Sequence, residues 1–240
     1  MKHTPQPQGL NRRRVAQLLL TTQEARSVGR RIDILSRRFL GRPYKSHPLI
    51  GSADEAEVFT ASLDGFDCVT YIETILALAC ACNVDGFAEI LQKIRYARGL
   101  IEWKHRNHHM TAWIRSNRRE GIVTPISAAT VPTVSRQRVL NVVPGLAIQR
   151  VRVKCVPKAA VCRLEPLLQT GDLIFFASTR KNLDVFHTGI IVRDGKSILM
   201  RHASRSQGCV VEQELSEFLK SNRMAGAIVV RPRCGRQAAG

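Results

Sequence analysis

Apolar residues recur at helical spacing in two early segments, 12–27 and 30–40, where Ile32, Leu35 and Phe39 share one stripe and Arg31, Arg37 and Arg38 lie off it. Gly29 falls between the two segments, and Gly41-Arg42-Pro43 ends the second. A short strand is expected over 57–63. The next stretch, Gly65-Phe66-Asp67-Cys68-Val69-Thr70 and on to Ala79, is almost wholly apolar beyond Cys68 and contains no proline. It predicts a helix buried over most of its circumference, with Cys68 as its first residue. Another amphipathic helix is expected over 86–97, ended by Gly99. Residues 122–165 are rich in valine and punctuated by Pro125, Pro132, Pro144 and Pro157, a pattern of short strands and loops. The clearest β pattern follows, with strands at 171–176, 185–193, 196–203 and 227–231 and a short helix at 214–221. Residues 1–11 are polar and contain proline, so a disordered tail is expected there. No internal repeat signals a solenoid.

Composition adds little to this outline, but charge adds a feature. The 240 residues are 44% apolar, ample for a core. Of the formal charge of +18, half lies in the first 45 residues, which hold eleven Lys and Arg against Glu24 and Asp33. Segment 12–45 is therefore a basic helical arm, suited either to a polyanion or to a solvated helical face. Seven cysteines without paired spacing do not form the disulfide framework of a small secreted domain, and reduced thiols are expected. Behind Arg12-Arg13-Arg14 only 15–20 is apolar, too short for a signal-peptide core, and no apolar stretch is long enough to span a bilayer. The chain reads as cytoplasmic, or as exported by a route that needs no cleavable signal.

The candidate chemistry centres on Cys68. A helix start gathers unsatisfied N–H groups and the positive end of the macrodipole, which favours a thiolate there. Two strands meet at Asp194-Gly195, the dipeptide that specifies a two-residue type I′ hairpin. That turn pairs Arg193 with Lys196 and sets His187 opposite His202, with Cβ atoms roughly 4.5–5.5 Å apart on one face. One imidazole then serves as base to a thiol while the other fixes its tautomer. Gly189, on the same face, leaves room for a close approach. The remaining cysteines (Cys80, Cys82, Cys155, Cys162, Cys209 and Cys234) read as small hydrophobes. No CxxC pair exists, and the His105, His108 and His109 cluster beside Arg106 reads as a cleft wall or an exposed basic face, so no metal site is expected. Aromatics are 5% of residues, and no nucleic-acid-binding motif or phosphate-cradling glycine loop is present.

Several of these residues carry a resemblance. Phe66-Asp67-Cys68-Val69-Thr70 before an apolar helix, Arg106-Asn107-His108 with Trp113-Ile114 and Asn117, and Gly171-Asp172-Leu173-Ile174 are three of its motifs. Asp184-Val185-Phe186-His187-Thr188-Gly189 and His202-Ala203-Ser204 are the others. In this order they resemble the N-acetylmuramoyl-L-alanine amidase-like family, a branch of the NlpC-type papain-like cysteine hydrolases of bacterial cell walls. Leu35-Ser36, Phe39-Leu40-Gly41 and Pro43-Tyr44 extend the resemblance toward the N-terminus.

The resemblance implies an α+β, papain-like NlpC-type fold: a central antiparallel sheet, the cysteine at the N-terminus of a packed helix, and extra N-terminal helices. Residues 12–240 would form a single catalytic domain with the basic arm packed on it. By the same resemblance Cys68 is the nucleophile, His187 the general base and His202 the orienting third member, while Arg106, His109, Trp113 and Asn117 contact substrate. No cofactor is implied. The implied substrate is peptidoglycan or its turnover fragments, cut between (anhydro)N-acetylmuramic acid and L-alanine. The alternatives are an endopeptidase acting within the stem peptide, and an inactive protein of the same fold that binds a polyanion. Envelope-acting members carry export signals. This chain, without one, would either recycle fragments in the cytoplasm or be a delivered antibacterial effector whose arm binds an anionic wall polymer or a carrier protein.

Overall fold

The computed structural model describes residues 6–126 and 130–233. The arginine-rich arm forms two helices, shorter than their periodicity suggests: α1 (Arg12–Leu20) and α2 (Val28–Arg37). Asn11 caps α1 by accepting from the Arg14 N–H at 2.9 Å, and Ser27 caps α2 by accepting from the Arg30 N–H at 3.2 Å. With Ser27 as cap, Gly29 lies inside the first turn of α2 rather than between helices. A Cβ at Gly29 would stand 2.3 Å from the carbonyl oxygen of Thr170, so glycine is needed there for close contact.

The predicted disordered tail is corrected in its described part. Gln8 donates to the Phe59 carbonyl at 2.8 Å and accepts from the Ala61 N–H at 2.9 Å. The strand expected at 57–63 is corrected with it, because that segment makes only isolated bridges, to Gln8 and Ile50. Residues 1–5 lie outside the described residues.

The apolar run becomes α3 (Cys68–Cys80), followed by α4 (Val84–Arg95) and α5 (Met110–Arg119). Among the described residues eight strands follow: β1 (Val123–Pro125), β2 (Val134–Leu140), β3 (Gln149–Pro157), β4 (Leu173–Ala177), β5 (Val185–Asp194), β6 (Ser197–Ser204), β7 (Cys209–Glu214) and β8 (Gly226–Pro232). Helix α6 (Leu215–Ser221) joins the last two. They form one sheet in the order β2-β3-β8-β4-β5-β6-β7, with β1 also on β8 and neighbouring strands antiparallel throughout. The α+β class expected from the sequence is thus present. β7 escaped the sequence reading because its run of Val, Glu and Gln is a polar edge pattern with only Val210 deeply buried.

β4 shows how the sheet is covered. Its five residues are all buried, and they alternate between two cores: Leu173 and Phe175 pack with α1 to α4, whereas Ile174 and Phe176 pack with 160–168 and α6. α3 lies across β5 and β6 on the first side.

The hairpin differs from its predicted register by two residues. Asp194 pairs with Ser197 and Ile190 with Arg201, so the loop is Gly195-Lys196 and Asp194 belongs to the strand. Gly195 has φ 58° while Lys196 is not left-handed, which matches a turn with glycine at its first central position, the type II′ requirement, rather than type I′. His187 and His202 are therefore not directly opposed. An offset of two conserves the face of every side chain, so they remain diagonal neighbours.

Cysteine chemistry is also corrected at one position, for Cys80 is disulfide-bonded. Cys155 is buried as expected of a small hydrophobe and Cys209 is half-buried, while Cys82 and Cys162 are exposed; Cys234 lies outside the described residues.

Candidate active site

Asp67 and Thr70 build the start of α3. The Asp67 carboxylate accepts from the N–H groups of Val69 (3.1 Å) and Thr70 (2.7 Å), and Thr70 Oγ1 accepts from the Asp67 N–H at 3.1 Å, a reciprocal capping box. Cys68 sits half-buried inside this cap. Burial pushes its thiol up to about 12, and the Asp67 charge adds to the rise. The N–H groups of Thr188, Cys68 and Val69 oppose it. This corrects the expectation of a resting thiolate: the helix-start N–H groups do face the sulfur, but desolvation and the capping carboxylate outweigh them.

Hydrogen bonding between the sulfur and Thr188 places the start of α3 against β5, one residue from His187. On β5 and β6, His187 Nε2 and His202 Nδ1 are 2.7 Å apart, with rings at 88°. Phe218 of α6 lies nearly parallel to His187 (5.4 Å, 25°) and edge-on to His202 (5.5 Å, 71°), backed by Phe176 at 4.6 Å. Burial in this aromatic setting lowers His187 to about 3, with the neighbouring His202 adding to the fall, and lowers His202 to about 4. Both imidazoles, like the thiol, are neutral at pH 7.

A strap from the end of the arm borders the site. The Tyr44 N–H donates to the Gly208 carbonyl at 2.7 Å, and the residue bridges to Phe66, two positions before Cys68. Burial raises the Tyr44 phenol, the charges of Cys68 and Asp67 raise it further, and Arg205 pulls it down. Tyr44 and Arg205 therefore share the neighbourhood of the thiol. The sequence reading missed both, along with Phe218. Only the Asp67-x-x-Thr70 cap carried a local signal, since strap and aromatic cover arise from contacts distant in sequence.

The four residues expected to contact substrate are each engaged with other parts of the chain. Trp113 and Asn117 have no exposed surface. The Trp113 indole donates to Glu73 at 3.1 Å, and the Asn117 amide donates to the carbonyls of Ile94 and Trp113. Arg106 is ion-paired with buried Glu57 and stacks on Trp103 at 4.6 Å. His109 is 5% exposed at the N-cap of α5, where burial lowers its pKa and Asp184 opposes the fall. Among the described residues no group of three or more His, Cys, Asp or Glu is arranged to hold a metal.

The family model of N-acetylmuramoyl-L-alanine amidase-like proteins matches residues 34–227. The chain belongs to this family. An N-acetylmuramoyl-L-alanine amidase from Bacteroides uniformis ATCC 8492 superposes with a TM-score of 0.76 at 27% identity, over 86% of this chain and 99% of that one. A protein from Legionella pneumophila str. Philadelphia 1 shares the fold, with a TM-score of 0.80 at 20% identity over 94% and 97% of the two chains. No curated protein matches. In this amidase-like chain the matched stretch contains Cys68, His187, His202, Tyr44 and Phe218, whereas α1 and the first half of α2 precede it.

Proposed function

We propose that this amidase-like enzyme is a cysteine hydrolase of papain-like NlpC type that cuts the amide between the lactyl carboxyl of (anhydro)N-acetylmuramic acid and L-alanine. What supports the reading is the His187–His202 hydrogen bond, one residue along β5 from the Thr188 N–H that faces the Cys68 sulfur. His187 donates its Nε2–H to His202 Nδ1 in the productive tautomer, which leaves His187 Nδ1 free to accept a proton. Thiol and imidazole begin neutral, so the Cys68 proton passes to His187 as sulfur attacks the lactyl carbonyl. The Cys68 N–H is the natural donor to the developing oxyanion. His187 then protonates the departing L-alanine nitrogen and a thioester remains. Water attacks the thioester, gives a proton to His187 and releases the carboxylate, and Cys68 regains its proton from His187.

Because Trp113 and Asn117 are enclosed and Arg106 is committed to Glu57, they and His109 serve as framework behind the site. Tyr44 and Arg205 take the place of substrate contacts at its mouth.

Defined muropeptides digested by wild type and Cys68→Ala and read by mass test the proposal. Intact stem peptide and free (anhydro)muramic acid product are expected, with a loss of about 10³-fold or more in Cys68→Ala. Truncated peptide still joined to sugar would assign endopeptidase chemistry instead, and undiminished activity of Cys68→Ala would remove the nucleophile.

A further inference from the structure

A second charged site lies at the far end of β5. Between the first turn of α2, the turn before β4 and the exit of β8 is a cleft of about 430 Å³. Four guanidinium groups from separate positions line it: Arg30, Arg193, Arg231 and Arg233. Six residues of strand separate Arg193 from His187, roughly 20 Å.

Two of these cations are held in place by the fold. Arg193 Nη1 donates to the carbonyls of Glu165 (2.8 Å) and Leu168 (3.2 Å). Arg231 forms two bonds to Asp172 (2.8 and 2.9 Å) and a third to the Leu167 carbonyl (2.7 Å). The carboxylates that line the cleft are Asp33 and Asp172. Asp172 is spent on Arg231; Asp33 is shared between Arg30 and the buried Arg201. Carbonyls orient Arg193 without neutralising it, and no carboxylate among the described residues pairs with Arg193 or Arg233. The close contact of Gly29 with the 170–171 turn fixes the two walls against each other.

We propose that this cleft is a non-catalytic site for a phosphate-bearing anion, gripped by Arg193 and Arg233 with Arg231 and Arg30 beside them. Four cations against two carboxylates leave a formal +2, which complements a phosphate monoester of about −1.5 to −2 better than it does a single carboxylate. The Arg193 guanidinium, already oriented by two carbonyls, loses little freedom on binding phosphate oxygens. The volume admits a phosphorylated sugar or polyol unit. Such charge is found both in a free phosphate monoester and in two neighbouring units of a phosphodiester wall polymer, and either gives part of the basic arm a defined partner.

Calorimetry on the full chain with inorganic pyrophosphate, glycerol 3-phosphate, a glycerol-phosphate oligomer and acetate tests it. Phosphate-bearing probes are expected to bind and acetate is not. Arg193→Gln with Arg233→Gln should weaken binding at least about tenfold, and Arg233→Glu, a change at an exposed position, should do so with the fold intact by circular dichroism. Preference for glycerol 3-phosphate assigns the small monoester, and preference for the oligomer assigns the polymer. Equal binding by wild type and Arg233→Glu, equal binding of acetate, or no binding of any phosphate probe overturns the proposal. Binding is read without catalysis, so its outcome stands apart from the amidase assignment, and both variants should hydrolyse muropeptides at the wild-type rate.

Discussion

Phe218 covers His187 with its face and His202 with its edge, the one aromatic ring among the described residues that meets both. That cover withholds water from an imidazolium, and so keeps His187 neutral to about 3 against an ordinary 6.5. Phe218→Ala is expected to move the acid limb of kcat/KM upward by about one pH unit, and Phe218→Leu, which retains an apolar cover, by less. A pH–rate profile checks both; unchanged limbs in Phe218→Ala would show that the ring does not set the basicity of His187. The same groups link pH to stability. Below about 6.5 the unfolded chain binds protons that the folded histidines refuse, so wild-type stability should fall as pH drops from about 6.5 toward 4. Denaturant unfolding at pH 7 and pH 5 should show that fall diminished in Phe218→Ala.

The start of α3 joins two opposing effects in one residue. Asp67 stabilises the helix as its cap and raises the thiol as its nearest charge. Asp67→Asn keeps a good cap and removes the charge, so stability should change by only a few tenths of a kcal/mol while Cys68 alkylates faster at pH 8. Asp67→Ala should also alkylate faster but lose about 1 kcal/mol in denaturant unfolding. Equal alkylation rates in all three proteins would show that the carboxylate does not govern the thiol.

At this scale much was legible in the sequence, because an apolar run without proline can hardly be anything but a buried helix. The direct opposition expected of His187 and His202 failed with the turn type, yet the two still meet, since slipping a hairpin by two residues leaves every side chain on its face. What could not be read locally was what α6 lays over the sheet. The 102–117 cluster misled for a related reason. Its polar and aromatic mixture suggests a binding wall, yet Trp113 turns inward because Glu73 of α3 offers its indole a buried acceptor.

The basic arm is joined to the sheet through Arg201. This side chain has no exposed surface, and it bonds to the Asp33 carboxylate and carbonyl and to Ser36 Oγ on α2, as well as to Glu212 on β7. The N-terminal arm and the neighbouring strands β6 and β7 therefore share one cation, next to His202. Removing one member of a fully buried pair typically costs about 3–5 kcal/mol; here Asp33 keeps Arg30 and Arg37 and Glu212 is partly exposed, so the loss is smaller, whereas the two exposed contacts of α1, Arg12–Asp85 and Arg14–Asp64, are worth little. Arg201→Met should thus lower stability by about 2–3 kcal/mol in denaturant, and Arg12→Gln should leave it unchanged. If the arm and the sheet are one cooperative unit, tryptophan fluorescence from Trp103 and Trp113 and far-ultraviolet circular dichroism should trace a single transition in wild type. Separate midpoints in wild type, or an Arg201→Met protein as stable as its parent, would mean that the arm folds apart from the sheet and that the buried ion cluster does not bind them together.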